Sequence, residues 1–259
     1  MGEIVRKILQ LSLKYLAKIY LFRTKPAIIV IAGATNRHWI KEGILETLKE
    51  KGISCRGNKK NFNAEVGLPL SVLGVYSEMD EDNKIRRWFN VLLKLAKSAF
   101  FEKGADYLVL EMAIDKPDDM EYLLGIIKPQ TAVFTTITMI YPENFSNLDE
   151  IALEYKKLIK GLPQNGMAIL NADDERIISL KEYSPARVFT YGIESPDPGF
   201  MAKDIKKSLV GQEFLIQTPD SKTKTVKINK FGQHHIYAEL VKEVIVGGII
   251  AKSRAANPK

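Results

Sequence analysis

The chain has 259 residues, 46% of them hydrophobic and 27% charged, a balance that excludes a disordered chain and suffices for one large α/β domain or two modest ones. Its formal charge of +7 favours an anionic partner, such as a phosphorylated ligand or a membrane surface. No DNA- or RNA-binding motif accompanies that charge, so no nucleic acid is expected.

Cys55 is the single cysteine, which excludes an intrachain disulfide, and no Cys/His cluster has zinc-binding spacing. A reducing, cytoplasmic setting fits. Lysines interrupt the apolar N-terminal run and no small-residue cleavage site follows, so no secretory signal is expected.

Residues 3–24 are predicted to form one amphipathic helix. Ile4, Ile8, Leu11, Leu16 and Ile19 recur at helical spacing, with Arg6, Lys7, Lys14, Lys18 and Arg23 between them. The uncharged run Ile8 to Leu13 falls far short of the roughly 20 residues needed to cross a bilayer. Two readings stand: a helix packed on the domain, or a basic helix lying on an anionic membrane surface. The second would place the protein at the inner face of the membrane.

Pro26 ends that helix. Ala27 to Ala32 is a continuous apolar run, as in a strand buried on both faces. The turn Gly33-Ala34-Thr35-Asn36 and a helix over 39–51 complete the layout of a phosphate-binding loop. The alternation continues. Helices are expected at 86–103, with Trp88, Leu92, Leu95 and Phe100 for a buried face, and at 118–127 and 148–162. Strands are expected at 107–112, 131–135 and 167–171, the last ending in Asn171-Ala172-Asp173-Asp174. Repeated strand–helix units imply an α/β fold, a mostly parallel sheet with helices on both faces. Residues 188–192 read as a further strand. Beyond them, Phe214 to Ile216 and Thr225 to Ile228 alternate like an antiparallel β appendage. A last helix spans 236–252, and the tail at 255–259 is expected to fray. The expected organisation is a helix over 1–25 and one domain over 26–259, with the β appendage at 186–232 inside it.

Five stretches, in order, carry a family resemblance. They are Ile31 to Asn36 with Lys41-Glu42; Gly57-Asn58 with Asn61 to Leu70; Leu110-Glu111-Met112 with Asp115-Lys116-Pro117; Gly161-Leu162-Pro163 with Asn165-Gly166 and Leu170 to Asp174; and Gly232-Gln233-His234. Asn63-Ala64-Glu65-Val66-Gly67-Leu68-Pro69-Leu70 is the most specific of them. Together they resemble the central, ATP-binding domain of the Mur ligases, above all the members that add D-alanyl-D-alanine to a UDP-muramoyl tripeptide. The likeness covers about residues 26–250.

The resemblance implies a P-loop-like fold, ATP and Mg²⁺ as cofactors, and amide formation through an acyl phosphate. Catalysis of that kind rests on positioning and charge neutralisation. It also implies two flanking domains, for which this chain has no room, so a partner chain supplying them is one expectation. The cofactor-binding positions would be Gly33, Thr35, Asn36, Arg37, His38, Asn171, Asp174 and His235, with Glu111 as a Mg²⁺ ligand.

Several of these depart from the family's pattern. The loop lysine is replaced by Arg37, which pairs with phosphate but through a different fork and reach. The magnesium-binding hydroxyl is His38, a poor partner for a hard cation. A metal-binding histidine is Tyr141, and a carbamylated lysine is Tyr155. Lys156 is adjacent to Tyr155, but one position turns it by about 100° on a helix. No catalytic residue is assigned. The joint replacement predicts a catalytically degenerate binding or scaffold module; the alternative is the ATP-binding half of an active cell-wall amide ligase completed by a partner chain. Plainer roles compete at each position: Gly33 as a tight turn, Glu111 as a solvated strand-end carboxylate, Asn171 and Asp174 as turn residues.

Overall fold

The computed structural model describes residues 3–59, 62–76, 84–196 and 198–256. Asn61 and residues 257–259 lie outside these, as do the side chains of Ile4, Arg6, Lys7, Trp88 and Leu92.

Nine strands form one sheet in the order β2-β3-β1-β4-β5-β6-β7-β8-β9. The parallel part comprises β2 (Cys55–Gly57), β3 (Tyr107–Met112), β1 (Ala27–Ala32), β4 (Thr131–Phe134), β5 (Met167–Asn171) and β6 (Arg187–Gly192). The first strand of the expected appendage therefore continues the parallel sheet, and β7 (Phe200–Lys207) also joins β6 in parallel at Tyr191 and Gly192. Antiparallel pairing starts only between β7 and β8 (Gln212–Gln217) and continues to β9 (Thr223–Ile228). Hairpin connections permit that change of direction, whereas the connections between successive strands from β1 to β6 pass through helices, and a short segment with no described helix joins β6 to β7.

The continuous apolar strands follow from burial on both faces. Ile28, Val30 and Ala32 of β1 face one core, Ile29 and Ile31 the other, and all five are buried. On the first face lie α1 (Glu3–Thr24), α3 (Gly67–Leu73), α4 (Lys84–Phe101), α5 (Asp119–Leu124), α6 (Leu148–Lys160) and α7 (Glu175–Ser179). On the second lie α2 (Arg37–Glu50) and α8 (Gln233–Ala256), which pack together over the sheet.

The N-terminal helix packs on the domain. Leu13, Ala17 and Tyr20 are buried in the first core, and Arg23 donates from Nε to Ala99 O at 3.1 Å and from Nη2 to Glu102 O at 2.5 Å, closing the end of α4. In α4, Leu95 is buried as expected, but Phe100 is exposed. The short α3 falls on the Gly67-Leu68-Pro69-Leu70 end of the most specific motif. Pro69 is its third residue, within the first turn, where no amide donor is needed.

Candidate functional site

The strand order reverses around β1, whose neighbours are β3 on one side and β4 on the other. A crevice at the carboxyl ends of the strands is the expected ligand position in such a sheet. The loop Gly33 to Asn36 sits there, between the end of β1 and the start of α2. Gly33 has φ +125°, and a Cβ there would come within 2.1 Å of Thr135 Oγ1, so only glycine fits. Asn36 takes a left-handed conformation, φ 62°, and its side chain makes no cap bond to α2. The loop is clamped to the end of β4: Ala34 N donates to Thr136 O at 2.7 Å, and the Thr35 and Thr136 hydroxyls are 2.7 Å apart.

Arg37 folds back across this loop. Its Nη1 donates to Gly33 O at 2.5 Å and to Met112 O at 3.2 Å, tying the loop to the end of β3. Tyr155, buried on α6, points to the same place. Burial pushes its phenol up to about 12, against the opposing pull of Arg37 and of a hydrogen bond from the Gly33 backbone. Tyr141 also feels the Arg37 charge; burial first, then Asp115, raises its phenol. Tyr141 and Tyr155, two of the expected departures from the family pattern, therefore share the field of one guanidinium. Lys156 lies elsewhere, with Nζ 3.5 Å from the centroid of the Tyr183 ring, as its rotation on the helix requires.

Glu111 is the penultimate residue of β3 and is buried, not solvated. Lys41 Nζ, itself buried, lies 2.9 Å from Glu111 Oε1 and donates to Asn58 O at 2.6 Å. Asn58 completes the arrangement, accepting from Glu111 N at 2.9 Å and donating to Glu111 O at 3.2 Å. The carboxylate thus has an internal ammonium beside it, and His38 Nδ1 at 3.8 Å from the same oxygen. Among the described residues, no group of three or more His, Cys, Asp or Glu side chains is placed to hold a metal ion.

The three histidines of the chain converge on Trp39. Ring centroids lie 5.3 Å away for His38, 5.2 Å for His234 and 4.5 Å for His235. Burial, then the charges of His234 and Lys230, holds the His235 imidazole below its ordinary value. The cluster joins the first turn of α2 to that of α8.

Asn171 and Asp174 act within the backbone. Asn171 is buried and accepts from Asp173 N at 3.1 Å. Asp174 caps α7 through Arg176 N and Ile177 N, both at 3.0 Å, and accepts from Ile137 N at 2.7 Å. Through Ile137, next to Thr136, Asp174 borders the Thr35–Thr136 clamp. Two residues with no expected role prove central: Asp173 accepts from Ile193 N, Glu194 N and Ser195 N, and from the Tyr237 hydroxyl at 2.7 Å. The Asn-Ala-Asp-Asp stretch was the only sequence signal for Asp173; nothing marked Tyr237.

Comparison with known proteins agrees with this fold. The UDP-N-acetylmuramoyl-tripeptide–D-alanyl-D-alanine ligase of Escherichia coli is 22% identical over 210 residues, covering 81% of this chain and 40% of that one. The ligase of the same name from Bacillus subtilis is 25% identical over 227 residues, covering 87% and 42%. The chain thus spans about two fifths of the length of these curated relatives. Among solved structures, the MurF ligase of Thermotoga maritima in complex with ADP shares the fold with a TM-score of 0.74 at 21% identity, covering 93% of this chain and 49% of that one. MurF from Acinetobacter baumannii gives 0.73 at 16% identity, covering 93% and 47%. With the model of the Mur ligase middle domain matching residues 31–241, the chain belongs to the Mur ligase family through that domain.

Proposed function

We propose that this middle domain serves as a binding or scaffold module and does not transfer a γ-phosphoryl group in the family's manner. One observation carries the reading: the Arg37 guanidinium is bonded to Gly33 O and Met112 O, across the loop that would cradle phosphate. Both bonds use Nη1, which holds that corner of the guanidinium on backbone carbonyls and away from a bidentate grip on phosphate through Nη1 and Nη2. Supporting it, Glu111 has Lys41 Nζ at 2.9 Å, and Tyr155 presents a neutral phenol where the family resemblance implies an added carboxylate. The residues present therefore do not fit Mg²⁺ and ATP in the usual arrangement. The test is ADP release by the purified chain, with nucleotide affinity measured in parallel. No release above background, with or without Mg²⁺, is the expected result. Magnesium-dependent turnover that Glu111→Ala removes would overturn the reading.

A second reading, the ATP-binding half of a cell-wall amide ligase completed by a partner chain, draws on the retained loop. Gly33 keeps its positive φ, and the Thermotoga relative was solved with ADP. It requires that millimolar ATP raise the melting temperature and that Arg37→Ala abolish the rise; a flat melting temperature counts against it.

A further inference from the structure

α1 carries two apolar faces, and the fold uses one. Leu13, Ala17 and Tyr20 enter the core, whereas Ile8, Leu11, Tyr15, Ile19 and Phe22 remain exposed, Phe22 at 81%. At about 100° per residue, the exposed five fall within an arc of about 80° opposite the buried set. They form a continuous stripe along the outside of the molecule. Large exposed apolar stripes of this kind mark interaction surfaces.

The charge along its edge identifies the partner. Beside Phe22 a cavity of about 290 Å³ opens between α1 and the segment after α5, with Leu21, Ile28 and Ile126 in its wall. Lys18, Lys25 and Lys128 rim it, all three exposed and, among the described residues, without a carboxylate partner. An apolar stripe with aromatic rings, bordered by free ammonium groups, matches the boundary between acyl chains and anionic headgroups. No described helix is long and apolar enough to cross a membrane, so the geometry is that of a helix lying in the surface plane. A second copy of the chain fits less well, because paired stripes would bring these lysine edges together.

We propose that the outer face of α1 docks the protein onto an anionic lipid bilayer, with Phe22 and its row in the interface and Lys18, Lys25 and Lys128 on lipid phosphates. The buried half of α1 holds the helix formed before contact, so docking carries no folding cost. The proposal stands independently of nucleotide binding.

Sedimentation of the whole chain with vesicles tests it. Phosphatidylcholine vesicles would be compared with vesicles containing about 30% phosphatidylglycerol, at low and high salt. Binding to the anionic vesicles, weakened by salt, is expected. The pair Leu11→Ser and Phe22→Ser should lower partitioning by at least about tenfold, as should Lys18→Glu with Lys128→Glu. Leu209→Ser, at a fully exposed leucine outside the stripe, should change nothing. Circular dichroism melts would check that each variant is folded. The proposal falls if the unaltered chain stays in the supernatant at low salt, or if the stripe variants bind as well as it does. It falls equally if the chain is a dimer that Leu11→Ser dissociates, since a second copy would then occupy the stripe.

Discussion

Lys41 is a buried ammonium paired with the half-exposed Glu42 beside it, at 3.3 Å, and with the buried Glu111 on another element, at 2.9 Å. Removing it by Lys41→Met leaves the Glu111 carboxylate buried without a counter-charge, which costs about 3–5 kcal/mol. Replacing both, as Lys41→Met with Glu111→Leu, removes the stranded charge and should recover most of that loss. Urea denaturation of the two variants distinguishes the outcomes; equal destabilisation would show that the pair contributes little. The sequence marked Lys41-Glu42 and Glu111 as motif positions but did not join them. They are 70 positions apart, and only the parallel register of β1 with β3 brings α2 over the end of β3. Arg37 was legible as a cation at the phosphate loop. Its bonds to Gly33 O and Met112 O were not, because they depend on a side-chain conformation set by the neighbouring strand end.

At the scale of elements, the notable feature is a tether. The Asp173 carboxylate gathers three amides from the β6–β7 connection and the Tyr237 hydroxyl from α8. It thereby ties the end of β5, the switch toward antiparallel pairing and the second helical layer. Asp173→Ala leaves those donors partnerless, and a loss of about 2–4 kcal/mol is expected, with the amides of 193–195 exchanging faster by hydrogen exchange. Unchanged exchange there would refute the tether. Element existence was largely readable, because buried parallel strands and helices of ten or more residues carry clear periodicity. The three-residue β2, the five-residue α7 and the Pro-containing α3 were not read, since such short segments carry no periodic signal of their own.

For the whole molecule, acidity is the relevant stress. The chain already carries +7, so each added proton increases its self-repulsion. His235 contributes a specific part. Its folded value lies below the ordinary 6.5, so the native state binds fewer protons than the unfolded chain across that interval. Its stabilising contribution is complete above 6.5 and is lost as pH falls through the depressed value. Melting temperature should therefore drop between about pH 7 and pH 5, and His235→Asn should make the curve shallower. An identical slope in the variant would show that His235 is not responsible.

The sequence by itself determined the alternation of strands and helices, the parallel sheet buried on both faces, the glycine turn after β1 and the family resemblance. All of these rest on local patterns: runs of apolar residues, helical spacing, and a position where only glycine is tolerated. It also marked Arg37, Tyr141 and Tyr155 as expected departures from the resembled pattern. Only the tertiary structure decided what these residues touch. Convergence of Tyr155 and Arg37 at one loop, pairing of Lys41 with Glu111, and the gathering of three histidines on Trp39 each join segments distant in the chain. The same holds for α1: its amphipathic spacing was visible, but which of its two apolar faces the core would cover depended on where α3 and α4 pack.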